Sequence, residues 1–146
     1  MAIYSHILAA TDFSPGSEQV AEKASQLAKA SNAKLTLIHV VEYLGFTYTP
    51  EFPIPDDPAL EQQLVESAEK RLAELAQKLG DAKAHVVTGS PKHEICRIAE
   101  ESDIDLIIVG SHGRHGLQLL LGSTANGVLH MAPCDVLAVH IGKQDG

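Results

Sequence analysis

The chain has no tryptophan, and its aromatic residues amount to 4%. The core must therefore be aliphatic, packed from Ala, Val, Ile and Leu. Cysteine is scarce too. Cys96 and Cys134 are too few for a disulfide framework in a chain of a size that needs no staples. Each lies among apolar neighbours, so both read as buried free thiols, inert packing groups rather than redox sensors, and suited to a reducing compartment. Basic residues are outnumbered, 11 against 19 acidic, for a formal net charge of −8, and no basic run segregates. Phosphate backbones and anionic membrane surfaces repel such a chain, so neither nucleic acid nor membrane is an expected partner. No apolar run approaches the ~18 residues of a membrane span. The start, Met1-Ala2-Ile3-Tyr4-Ser5-His6, lacks the basic and apolar segments of a secretory signal. The expectation is a cytoplasmic protein.

What is present is an alternation. Ile3 to Ala10 is a near-continuous apolar run, as strands buried on both faces are. Ser14 and Pro15 have the chemistry of a helix cap and first helical residue. Val20, Ala21, Ala24, Leu27 and Ala28 then recur at helical spacing, and Asn32 reads as a stop. Lys34–Val41 is a second strand. Glu42–Asp57, with three prolines, reads as a long irregular segment. From Pro58 a helix runs to about Leu79, with Leu60, Leu64, Ala68, Leu72, Leu75 and Leu79 on one stripe read as core, and Gly80 ends it. Ala84–Thr88, Asp105–Val109 and Val136–His140 are the remaining strands, separated by helices over Lys92–Glu101 and Ser123–Met131. Strand and helix alternating through 146 residues, with no repeat or linker, predict one domain, 1–146, of the α/β class: a parallel sheet with helices on both faces.

In an open parallel sheet, ligands bind beyond the carboxyl ends of the strands where strand order reverses. Ala10-Thr11-Asp12, Val40-Val41 and Gly110 to Ser123 all lie at such ends. In the last of these, glycines let the backbone approach phosphate oxygens. Gly122-Ser123-Thr124 falls where a helix begins, so its amides and two hydroxyls suit phosphate, and Arg114 adds a full positive charge. The loop is neither a P-loop nor a dinucleotide fingerprint. Read plainly, it is a turn with a cap at Ser123, and Asp12 is a turn residue. His112 and His115, with His93, lack the companions a metal site needs, so no metal ligands are assigned. His39 and His140, in apolar strands, read as structural histidines. No Ser/His/Asp or Cys/His set stands out, so no catalytic residues are assigned.

The stretches Ile7-Leu8-Ala9-Ala10-Thr11-Asp12-Phe13-Ser14, Leu37-Ile38-His39-Val40, Gly89-Ser90-Pro91, Asp105 to Gly113 and Pro133 to Val139 carry, in order, a resemblance to the universal stress protein A family. That resemblance implies a three-layer, Rossmann-like fold with a five-stranded sheet of order 3-2-1-4-5. It also implies the ATP-binding loop pattern of Gly, two residues, Gly, nine residues, Gly, then Ser or Thr, carried here by Gly110, Gly113, Gly122 and Ser123. The chain departs from the pattern by placing eight residues, Arg114 to Leu121, before Gly122. The implied binding set is Ala10, Thr11, Asp12, Val40, Gly110, Ser111, His112, Gly113, Arg114, Gly122, Ser123 and Thr124, and the implied ligand is ATP, alone or with Mg2+. The last strand falls at a sheet edge, so a homodimer through Val136–His140 is expected. The resemblance thus implies an ATP-binding regulatory module of the stress response, acting as a dimer, and two other readings stand beside it. One is a slow ATP hydrolase with Asp12 as its carboxylate. The other is a scaffold without nucleotide, favoured by the shortened loop.

Overall fold

In the computed structural model, residues 3–42, 58–80, 82–111 and 122–141 are described. Five strands emerge where the apolar runs lie: β1 (His6–Ala10), β2 (Lys34–Val41), β3 (Lys83–Thr88), β4 (Leu106–Gly110) and β5 (Asp135–Val139). Four helices alternate with them: α1 (Ser17–Ser31), α2 (Pro58–Lys78), α3 (Pro91–Glu101) and α4 (Ser123–Met131). All strand pairs are parallel, in the order β3-β2-β1-β4-β5. The expected class, order and layers are those observed.

Period-two alternation sorts each strand's side chains between two cores. Ile7, Ala9, Leu37, Leu106 and Ile108 face α1 and α2, packing against Val20, Ala24, Leu72 and Leu75. Leu8, Ile38, Val40, Ile107 and Val109 face α3 and α4, packing against Ile95, Ile98, Ala125 and Val128. Both faces are covered, which is why the strands read as continuous apolar runs. Gly127 brings the two helices of the second face together. A Cβ there would stand 2.5 Å from Lys92 Cδ, so the stem of Lys92 crosses α4 at this residue.

Four expectations are corrected. Ser14 does not cap α1: Gly16, at φ 90°, is the cap, and the Ser14 hydroxyl bonds Asp12 instead. Leu60 and Leu64 are 46% and 42% exposed, while Ala68, Leu72 and Leu75 are buried. At 21 residues α2 is about 31 Å long, against about 20 Å for the six-residue β3, and an open cleft lies between Glu61, Gln62 and Val65 of its first turns and Val86–Thr88 of β3. His140 lies just past β5 and is exposed rather than in an apolar strand. Cys134 is half-buried, whereas Cys96 is buried as expected. Burial pushes both thiols up, and the carboxylates of Asp105 and Asp135 push Cys134 further. Neither therefore has the character of a reactive thiolate. Of the Glu42–Asp57 segment, residues 43–57 lie outside the described residues.

Candidate functional site

β1 sits between β2 and β4, and its pairing to the two is unequal. With β2 the register runs to Ala10↔Ile38, and the Thr11 amide continues it by donating to the Ile38 carbonyl at 2.9 Å. With β4 the register stops at Ala9↔Ile108. β4 instead stays with β5 as far as Gly110↔Val139, and Ser111 N then donates to the Val139 carbonyl at 2.8 Å. β1 thus leaves with β2 and β4 with β5. The strands part at the point where strand order reverses, the crevice in which α/β sheets hold ligands.

One lip of this crevice is Ala10-Thr11-Asp12. Thr11 is buried, and its Oγ1 accepts a hydrogen bond from Phe13 N at 3.2 Å. Asp12 Oδ1 accepts from Ser14 N at 2.9 Å and also from the Ser14 hydroxyl. This is an Asx turn, the plain reading of Asp12, and it fixes the carboxylate at the mouth. The chain reverses through Phe13 at φ 60°, the left-handed region that a bulky residue rarely adopts.

Gly110 and Ser111 form the other lip. Ser111 is 7% exposed and consumed by structure: its hydroxyl accepts from Ile141 N at 3.0 Å, and its carbonyl accepts from Gly122 N at 2.8 Å. That last bond seats the start of α4 on the end of β4. Gly122 is the cap residue of α4, extended at φ −60° and ψ 157° and without a side-chain cap bond; Ser123, read in the sequence as a cap, is the first helical residue. The amides of the first turn of a helix lack intrahelical acceptors and carry its positive dipole end. The Gly122 amide is taken by Ser111, so Ser123 and Thr124 carry the anion-favouring end of α4 beside the crevice. Val40, two residues beyond the end of the β1–β2 register, shares its face with Ala10 and α4.

Nine of the twelve expected binding residues are thus gathered at the carboxyl end of β1, β2 and β4. His112, Gly113 and Arg114 lie outside the described residues, as does His115. Among the described residues no three His, Cys, Asp or Glu side chains group to hold a metal ion.

Three residues not singled out for the site adjoin it. His39, 7% exposed, donates from Nδ1 to the Thr11 carbonyl at 2.7 Å. A carbonyl can only accept, so the proton is on Nδ1. The imidazole stacks on the Phe13 ring with centroids 4.3 Å apart, and Arg71 of α2 places its guanidinium carbon 4.2 Å from the centroid of that ring. The signal that could have found His39 is a polar ring in an apolar strand, which must be bonded to something if buried. Nothing in the sequence marks Phe13 as left-handed. Behind Phe13, on the α1–α2 face, a cleft of about 620 Å³ runs between Ser14, Glu18 and Glu22 on one side and Arg71, Glu74 and Lys78 on the other. It contains none of the expected binding residues.

The comparisons with known proteins agree with this architecture. The model of the Universal stress protein family matches residues 3–140. The Universal stress protein A homolog 1 of Coxiella burnetii is 47% identical over 138 residues, 93% of this chain and 96% of that one. The universal stress protein MJ0577 of Methanocaldococcus jannaschii is 29% identical over 154 residues, 94% of this chain and 95% of its own. Its solved structure superposes with a TM-score of 0.82, covering 98% of this chain and 100% of that one. A universal stress protein solved in complex with cAMP superposes with a TM-score of 0.64 at 27% identity, covering 94% of this chain and 97% of that one.

Proposed function

The chain belongs to the universal stress protein family, and from that membership we propose that it is a nucleotide-responsive module of the stress response, binding ATP in the crevice between β1 and β4. The observation that carries this reading is the unequal register of β1, paired to β2 through Ala10 but to β4 only through Ala9. Adenosine lies against Ala10, Thr11, Asp12 and Val40, with the Asp12 carboxylate accepting from a ribose hydroxyl or the adenine edge. The phosphates meet the first turn of α4, where Gly122 leaves room for close approach and the amides and hydroxyls of Ser123 and Thr124 donate without any lysine. Gly110, Ser111, His112, Gly113 and Arg114 complete the wrap, with Arg114 and an accompanying Mg2+ countering the charge. The solved relative that holds cAMP supports an adenine nucleotide as the ligand class. Beyond the shortened span, α4 begins at Ser123 and is seated on the end of β4 by the Gly122 bond to Ser111.

The protein acts in the cytoplasm as a homodimer. Among the described residues, β5 has β4 as its only strand partner. Leu137 on β5 and Leu129 and Met131 on α4 are exposed. An edge strand of this kind is completed by a second copy of itself. Proline at Ala138 blocks such pairing and yields monomer by sedimentation. A dimer persisting in that folded variant refutes the edge assignment.

Calorimetry with ATP, ADP and AMP, with and without magnesium, tests the nucleotide reading. Micromolar ATP binding that falls at least tenfold in folded Gly122→Val is the expected result. Absence of ATP binding by the folded wild type overturns it and favours the scaffold reading.

A further inference from the structure

We propose that Phe13 is a positioning residue for the crevice: clamped between His39 of β2 and Arg71 of α2, it holds the Thr11–Ser14 turn in the one geometry that aims Asp12 at the nucleotide. This inference rests on the nucleotide reading above.

A turn that needs φ 60° is made most cheaply with glycine. This chain uses phenylalanine, a residue that stays there only when its surroundings over-determine it. Those surroundings are visible. One side of the ring meets the His39 imidazole at 4.3 Å, tilted by 32°, within the range of favourable aromatic pairs. The Arg71 guanidinium lies over the ring at 4.2 Å, a cation–π distance. Through its Nδ1 bond to the Thr11 carbonyl, His39 anchors the same turn one residue before Asp12. The turn is thereby fixed by the Thr11 bonds to Ile38 and His39, by the Ser14 bonds to Asp12 and to Ser17 of α1, and by the ring stack. Of these, the ring stack is the one that reaches α2. Phe13 packs with the α1–α2 core, whereas Val40 and the first turn of α4 lie on the opposite face. The stack thus ties α2, which no expected binding residue occupies, to the aim of the Asp12 carboxylate across the sheet.

The test compares Phe13→Gly, which tolerates the left-handed backbone but has no ring, with Phe13→Tyr, which keeps the ring, and Arg71→Gln, which removes only the cation. Two quantities are read: ATP affinity by calorimetry, and hydrogen exchange of the Ser14 amide, which reports the Asp12 turn without any ligand. Phe13→Gly is expected to weaken ATP at least tenfold and to speed Ser14 exchange comparably. Phe13→Tyr stays within about twofold of wild type, and Arg71→Gln loses about threefold. If Phe13→Gly does not fold, Phe13→Leu, which keeps apolar bulk without ring faces, takes its place. Wild-type affinity and exchange in the ring-free variant overturn the proposal, as does Phe13→Tyr failing as badly as the ring-free variant. If wild type binds no ATP, the nucleotide reading falls, and Ser14 exchange alone still decides whether Phe13 positions the turn.

Discussion

The two ends of the sheet are built on opposite plans. At the amino end, side chains bind neighbouring strands together. The Asp105 carboxylate, just before β4, accepts from the amides of Ser5 and His6 at the start of β1, at 2.7 and 3.1 Å. The Asp105 amide returns a bond to the His6 carbonyl at 3.1 Å, and the Tyr4 hydroxyl donates to Asp135 at the start of β5 at 2.9 Å. At the carboxyl end the same strands separate after Ala9 and Ile108. There, among the described residues, Asp12 accepts from Ser14 and Ser111 from Ile141, each bond lying within one lip. One end spends its side chains on joining β1 to β4 and β5, the other on holding them apart in defined shapes. Stability should therefore depend on the first end and binding on the second.

The largest separation of the two should come from Asp12→Asn. The amide oxygen still accepts from Ser14, so the turn survives, but the charge facing the ligand is gone. A charge-assisted hydrogen bond is worth about 1.5–3 kcal/mol, so ATP affinity should fall roughly ten- to a hundredfold by calorimetry, with little change in thermal stability. A matching loss of stability would mean that Asp12 serves the fold alone.

Asp105→Ala should do the reverse. Losing the acceptor of two backbone amides should cost about 2 kcal/mol in urea unfolding and leave ATP affinity unchanged. If affinity falls with stability, the two ends are not independent.

Acid should act on the amino end next. Burial pushes the Asp105 carboxyl up, but the Ser5 and His6 amides outweigh it and hold it below the ordinary carboxylate value. Its contribution is complete above that ordinary value and is lost as pH falls through the lower, folded one. Burial also lowers His6, whose Nε2 lies 2.8 Å from Thr36 Oγ1. The folded state therefore favours neutral His6, and stability falls as pH drops below the ordinary histidine value. Unfolding curves from pH 7 to 3 should show stability declining in both windows. The lower one should flatten in Asp105→Ala. An unchanged lower slope in that variant would remove Asp105 from the account.

Tyr4→Phe should give the smallest change. The Asp135 carboxylate, by accepting its hydrogen bond, raises the Tyr4 phenol above its ordinary value, but the pair is exposed. A melting-temperature shift near the limit of detection is expected, and a large one would show that the β5 connection matters more than its exposure suggests.

Much of this contrast was legible beforehand, for reasons that differ by residue. Apolar runs buried on both faces locate β2 and β4 to within a residue and the end of β1 at Ala10, while β1 starts at His6, three residues later than its apolar run. Gly80, at φ 81°, ends α2 where its sequence position indicates. The crevice lip at Ala10–Asp12 follows from strand ends once the order is known, and family resemblance supplied that order. Competition between local solutions hid the rest. Ser14 can cap a helix or bond Asp12, and only the left-handed Gly16 decides which. Leu60 and Leu64 carry the same period as Leu72, but periodicity records a stripe and not how much of it is covered. Phe13 looks like one more apolar residue until its neighbours Arg71 and His39, 58 and 26 positions away, are seen on either side.

The most direct measurement is amide hydrogen exchange of the wild-type protein with and without saturating ATP, read residue by residue. The account predicts added protection at Ala10–Ser14, Val40–Val41, Gly110–Ser111 and Gly122–Thr124, and none at Tyr4–His6, Asp105 or Asp135. Protection that is absent from the carboxyl end, or equal at both ends, would contradict it.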